Sequence, residues 1–246
     1  MISSSHALLF STWLSDKRLS EALAVPSAKF KVLTFSRRAR AAASAFGIPI
    51  GFLGGVYLAE FGGQTFSFVV RYTADLLNGV PSIVMGIFAF TIVVLPMKHF
   101  STLAGGLALG VMMIPIAVRS TEEALRTVPL MLREGALALG ASKWKTIATV
   151  AIPAARKAII TGIALDIARV SGETAPLLFT AFSNRFWSPG WNQPTASLPV
   201  MVYTYAISPY DDWHKQAWAA GLVLLTLVLV ANIIARWTFS GRSAHL

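Results

Sequence analysis

Asp166, Arg169 and Glu173 stand in an otherwise apolar stretch, "IITGIALDIARVSGETAPLLF". Their spacing of i, i+3 and i+7 puts all three on one face of a helix. A charge at bilayer depth costs roughly 3 kcal/mol on insertion scales, so three unpaired charges would cost about 9 kcal/mol. They must therefore face protein or water. In one arrangement Arg169 pairs statically with Glu173 at i+4 and Asp166 at i−3, and the cluster fixes helix packing. In the other the cluster lines an anion path. A guanidinium holds an oxyanion through two parallel donors and keeps its charge when partly buried. Arg169 would then exchange partners between carboxylate and anion, because bare carboxylates would repel the anion. Arg119, at the end of another apolar run, is a second way station or a basic anchor at a membrane face. Thr174 and Pro176 follow closely. Pro176 has no N–H to give the Gly172 carbonyl, which points to a kink, either static or used in gating.

The elements that carry these residues are membrane spans. Of the 246 residues, 55% are hydrophobic and only 13% charged, and mean hydropathy is +0.62. A soluble domain carries about 25% charge. The apolar runs are continuous rather than alternating, which selects an all-α polytopic membrane protein over a β-barrel. Five spans are expected, over 41–61, 74–95, 103–118, 158–182 and 217–237. Pro81, Pro115 and Pro176 mark kinks or unwound points.

The net charge of +10 would suggest nucleic acid in a soluble protein. Here the Lys and Arg flank apolar spans, as the positive-inside bias requires, and no basic patch is interleaved with stacking aromatics. The chain has no cysteine, and its four histidines are scattered. Disulfides and thiolate sites are excluded, and no metal site is expected. The absence of a P-loop and of a nucleophile elbow argues against catalysis by the chain itself. Any energy source must come from a partner.

Charge also sets topology. The polar insertion 119–157 carries seven Lys/Arg, against Arg185 alone in the Trp-, Tyr- and Pro-rich loop 183–213. The insertion is therefore cytoplasmic and the aromatic loop external. Three spans before the insertion put the N-terminus outside. Residues 1–40, expected to be irregular, carry seven Lys/Arg as well, which the same bias would place inside. A first span is therefore expected to be missing or altered.

Within the insertion, "REGALALGASKWKTIATVAIPAA" reads as two short helices joined at Gly140. Gly140 permits a positive φ, Ser142 can cap the second helix through Val150, and Pro153 precedes the next span. Gly135, Ala136, Ala138 and Ala141 leave a low-relief surface suited to another protein's groove. The alternative is a surface-lying helix held by lipid through Trp144, Lys143 and Lys145.

The spacing from Glu134 by six residues to Gly140, then ten to Val150 and on to Ile152-Pro153, resembles the "EAA" loop of ABC-importer permeases. The triplet here is Glu134-Gly135-Ala136, with glycine in place of the middle alanine. The stretches "ARVSGETAPLLFTAF", "LLNGVPSIVMGIFAF" and "PTASLPVMVYTYAISPYDDWHKQAWAA" are similar to the phosphate branch of these permeases, over roughly 47–236. The resemblance implies the type I importer fold with six spans, of which five are recognisable here, in a permease domain over 41–240. It implies a bacterial inner-membrane location and transport of phosphate. It also implies a sister permease, two ATPase subunits that bind ATP and Mg²⁺, and an external phosphate-binding protein. Glu134, Gly135, Ala136, Gly140, Ala141 and Lys143 would form the surface that receives ATPase motion. Arg119, Arg169, Asp166, Glu173 and Thr174 would lie along the substrate path. The remaining readings are a permease for molybdate or sulfate, and a membrane scaffold that docks an ATPase without transporting.

Overall fold

The computed structural model describes residues 26–182 and 190–239, with side chains over 38–182 and 190–234. Every regular element among them is helical. In chain order they are α1 (Pro26–Glu60), α2 (Gln64–Gly79), α3 (Ser82–Met97), α4 (Thr102–Arg126), α5 (Leu130–Ala138), α6 (Lys143–Ser171), α7 (Ala175–Thr180), α8 (Leu198–Ala206) and α9 (Asp211–Phe239). α1, α4, α6 and α9 are long and apolar enough to cross a bilayer. The α2–α3 pair, bent by 98°, passes the same test of length and apolarity when taken together and is a candidate fifth crossing.

Several boundaries differ from expectation. Residues 26–40 are helical, not irregular, and α1 starts on a proline, a residue favoured at the first helical position. Apolarity reports membrane burial, whereas Lys29, Lys31, Arg37, Arg38 and Arg40 are good helix formers. The basic residues Lys17 and Arg18, and Arg185 of the external loop, lie outside the described residues. The expected continuous span over 74–95 is interrupted at Val80, whose φ of −69° and ψ of 129° are extended. Pro81 forces that conformation on the residue before it. The third span does not stop at 118 but continues to Arg126, so the polar insertion is shorter than 119–157. The helix capped by Ser142 does not end at Val150; it runs on as the next span. That span stops at Ser171 rather than 182, and α7 restarts after a break. Pro115 and Pro49 stay inside unbroken helices.

Two π turns lie within the spans, Phe90–Val94 in α3 and Ile147–Ala151 in α6. Each ends one residue before an X-Pro pair, Leu95-Pro96 and Ile152-Pro153. A proline ring collides with the carbonyl four residues back. The wide turn relieves this, with Leu95 N–H donating to Phe90 O and Ile152 N–H to Ile147 O.

α1 and α4 form the central pair. Ala39, Ala43, Gly47, Gly51 and Gly55 recur every four residues along α1. They face Gly106, Gly110, Ala117 and Thr121 in the same order, so the two helices are parallel. A Cβ on Gly55 would lie 2.6 Å from the Thr121 Cβ, which is why only the smallest residues fit this stripe. α1 therefore begins on the face opposite α5 and ends beside it. Its last residue, Glu60, is 2.9 Å from Arg133 of α5. α2–α3 must then carry the chain back across. At the far face the backbone of residues 191–193 caps α4: Thr102 N–H donates to Gln193 O at 2.9 Å and Leu103 N–H to Trp191 O at 3.1 Å. This satisfies amides that have no acceptor inside the helix.

Two buried clusters hold the bundle. One, near the far face, joins Ala43, Leu109, Met113, Val170, Leu177 and Val200. The other, near α5, joins Val56, Leu125, Val128, Ile147, Ala155 and Ile159.

Candidate functional site

The two helix breaks meet at one cavity of about 240 Å³. Leu77, Asn78, Val80, Pro81, Ser82 and Met85 form its α2–α3 wall. Val111, Met112, Pro115 and Ile116 of α4 form a second wall, and Arg169 and Glu173 complete the lining. Unwound backbone inside a membrane survives only where protein or water satisfies it, so a cavity is where such breaks belong. The N-terminus of α3 is at this wall. Its first amides lack intrahelical acceptors and present positive dipole to the cavity.

The expected ion-paired cluster does not form. Among the described residues, no salt bridge within 4.0 Å joins Arg169 to Glu173 or to Asp166. For Glu173 the cause is the end of α6 at Ser171. Gly172 N–H bonds Arg169 O at 3.0 Å and Glu173 N–H bonds Val170 O at 3.2 Å. That tight last turn takes Glu173 off the helical i+7 position. Asp166 does not line the cavity. It is buried, 1% exposed, and neither carboxylate oxygen has a hydrogen-bond partner. Thr174 lies in the break, and its carbonyl accepts from Leu178 N–H at 3.0 Å. It is not among the residues that line the cavity.

Arg119 is not in the cavity either. It is held by acids: Asp75 Oδ1 at 3.2 Å, Glu122 Oε2 at 3.4 Å and Glu123 Oε1 at 3.8 Å. Glu122, 1% exposed, is the centre of this network. It also pairs with Arg71 of α2 at 2.6 Å and Arg126 at 3.0 Å. Sequence reasoning missed Glu122 and Arg71. The signal was there: Arg119, Glu122, Glu123 and Arg126 fall at helical i+3 and i+4 spacings. It was hidden by ending the span at 118.

The insertion presents an exposed surface. Glu134, Gly135 and Ala136 lie in α5, which buries none of its residues. Gly140 has φ +82°. Its N–H donates to Leu137 O at 2.9 Å and that of Ala141 to Ala136 O at 3.1 Å. This is a Schellman cap, which needs a left-handed residue, so glycine is the residue that fits. Ser142 Oγ accepts from Lys145 N–H, and Lys143 opens α6. Leu130, Met131, Leu132, Leu137, Leu139 and Trp144 are all exposed around this turn. Exposed large apolar side chains are thus concentrated along α5 and its turn.

Comparison with known proteins gives consistent results. Residues 47–241 match the profile of the family "Binding-protein-dependent transport system inner membrane component". The chain is 47% identical over 199 residues to the phosphate transport system permease protein PstA of Yersinia pestis, covering 80% of this chain and 68% of that protein. Identity to the PstA protein of Haemophilus influenzae is also 47%, over 80% of this chain and 71% of that one. PstA 1 of Mycobacterium tuberculosis (strain H37Rv) is 40% identical over 78% of this chain and 63% of its own length. Among solved structures, the inward-facing MetNI methionine ABC transporter superposes with a TM-score of 0.67 at 16% identity, covering 92% of this chain and 98% of that one. An amino acid ABC transporter gives 0.66 at 13% identity, over 90% of this chain and 97% of its own.

Proposed function

The chain belongs to the family of binding-protein-dependent transport system inner membrane components, and from that premise we infer how it works. It is the multi-pass permease subunit of a phosphate importer in the bacterial inner membrane. It has the ABC-importer permease fold. We place it in a complex with a sister permease, two ATPase subunits that bind ATP and Mg²⁺, and an external phosphate-binding protein. The chain itself carries out no bond chemistry; its work is to bind, release and transmit force.

The observation that carries the anion reading is Arg169 at the cavity between two broken helices. Its guanidinium and the N-terminus of α3 supply donors and positive potential to an oxyanion at that point. Glu173 on the same wall sets a condition. A phosphate that still carries a proton donates to that carboxylate while accepting from Arg169. Fully deprotonated sulfate or molybdate has no proton to give and meets repulsion. This favours phosphate over the other oxyanions. Asp166, one turn earlier on α6 and without a hydrogen-bond partner, is the carboxylate on that helix for which Arg169 could exchange the anion. Arg119, already engaged by three acids, acts in holding α2 to α4 rather than as a free way station. The exposed α5 surface docks the ATPase. A scaffold that only docks would have no use for an arginine-lined cavity.

The test is uptake of radiolabelled phosphate by the reconstituted complex, with and without ATP and binding protein. Uptake should need both. Equal uptake of labelled sulfate would sink the phosphate reading, and ATP hydrolysis without any uptake would favour the scaffold.

A further inference from the structure

α5 buries none of its own residues, yet it must pass on any push it receives. Among the described residues, Arg133 gives α5 a charged attachment to the helices. Its Nη1 is 2.9 Å from Glu60 Oε1 at the end of α1, and its Nη2 donates to the Leu125 carbonyl of α4 at 2.6 Å. The Arg133 side chain is 17% exposed and that of Glu60 only 7%. Both have left water, so each depends on the other. The next residue, Phe61, takes the other end of the turn. Lys143 Nζ stands 4.7 Å over its ring, and the Trp144 ring lies 6.1 Å away. Glu60 and Phe61 thus hold the segment on both sides of Gly140.

Chain connectivity alone would send α5 motion to α4 and α6, its sequence neighbours. The Arg133 contacts add α1, which is far away in sequence. α1 is joined to α4 along the whole stripe from Ala39 to Gly55, and α4 lines the cavity.

We propose that Glu60 and Arg133 are a positioning pair that transmits α5 displacement to α1, so that α1 and α4 move as one body against the cavity's other walls. The pair touches neither anion nor nucleotide. Its role rests on the permease reading above.

The experiment uses the complete transporter in proteoliposomes, with ATP hydrolysis and phosphate uptake measured in the same vesicles. Glu60→Gln and Arg133→Gln should each keep ATP hydrolysis and lower uptake per ATP by about tenfold, and the double variant should lose no more than either single. An unchanged ratio in the singles, or losses that multiply in the double, would overturn the proposal. A purely structural role lowers assembly, hydrolysis and uptake together and leaves the ratio intact, which also overturns it. If a Gln variant does not assemble, Glu60→Asp, which keeps the charge but is one methylene shorter, is read the same way: a lowered ratio supports the pair and an unchanged one refutes it. Absence of ATP-dependent uptake in the unmodified complex would instead defeat the importer reading.

Discussion

Arg71 of α2 grips Glu122 of α4 through two nitrogens, Nε at 2.7 Å and Nη2 at 2.6 Å, across 51 residues of sequence. Arg119 and Arg126 close on the same carboxylate. The network therefore fixes one half of the bent crossing to the central helix, on the α5 side of the cavity.

Glu122→Gln should cost roughly 3 kcal/mol of stability, because it leaves three guanidinium groups around a site that lost its only buried anion. Arg126→Gln removes a half-exposed partner and should cost under about 1 kcal/mol. Thermal melting of the purified protein in detergent checks both. Similar losses for the two variants would mean that Glu122 is not the hub.

Arg169→Gln should abolish phosphate uptake while the complex still assembles and hydrolyses ATP. Glu173→Gln should leave phosphate uptake measurable and let sulfate compete. Competition assays with labelled phosphate and unlabelled sulfate read this out directly. Normal uptake by Arg169→Gln removes the arginine from the path.

Gly140→Ala forces a side chain to φ +82° and should cost about 1–2 kcal/mol, with weaker coupling to the ATPase. Gly135→Ala should behave in the opposite way. That position is helical and open, with nothing within 4 Å of an added Cβ, so it should gain up to about 1 kcal/mol. Melting curves of the two variants should move in opposite directions.

Gly55→Leu should cost about 1–3 kcal/mol or prevent folding, since even a Cβ would meet the Val118 carbonyl at 2.6 Å. Gly221→Leu on α9, where nothing lies within 4 Å, should be tolerated. Yield of monodisperse protein after detergent extraction distinguishes them.

The number and order of crossings were legible in the sequence because a span is a one-dimensional property, a run of apolar residues about as long as a bilayer is thick. The positions of the breaks were only partly legible. Pro81 and Pro176 do sit at breaks, but Pro115 and Pro49 do not. A proline states where a backbone bond is missing, and the neighbouring helices decide whether the helix opens there. The charged triad misled for the same reason. Helical spacing placed Asp166, Arg169 and Glu173 on one face, but α6 ends before Glu173. Glu122 escaped because its partner Arg71 lies on another helix, and the 119–126 segment was read as loop. The glycine turn at Gly140 was legible to the residue, since its cap is local and depends on backbone geometry alone.

The π turn at Ile147–Ala151 lies between the α5 turn and Arg169 on the same helix. A π turn accommodates one residue more than an α turn, and each residue rotates a helix by about 100°. That single extra residue therefore sets the angular phase of α6. It determines which way Arg169 points when Lys143 is fixed at the other end. Removing one residue there would leave both ends chemically unchanged and swing the arginine away from the cavity. The aim of Arg169 is thus set more than a dozen residues upstream, by an irregularity in the helix.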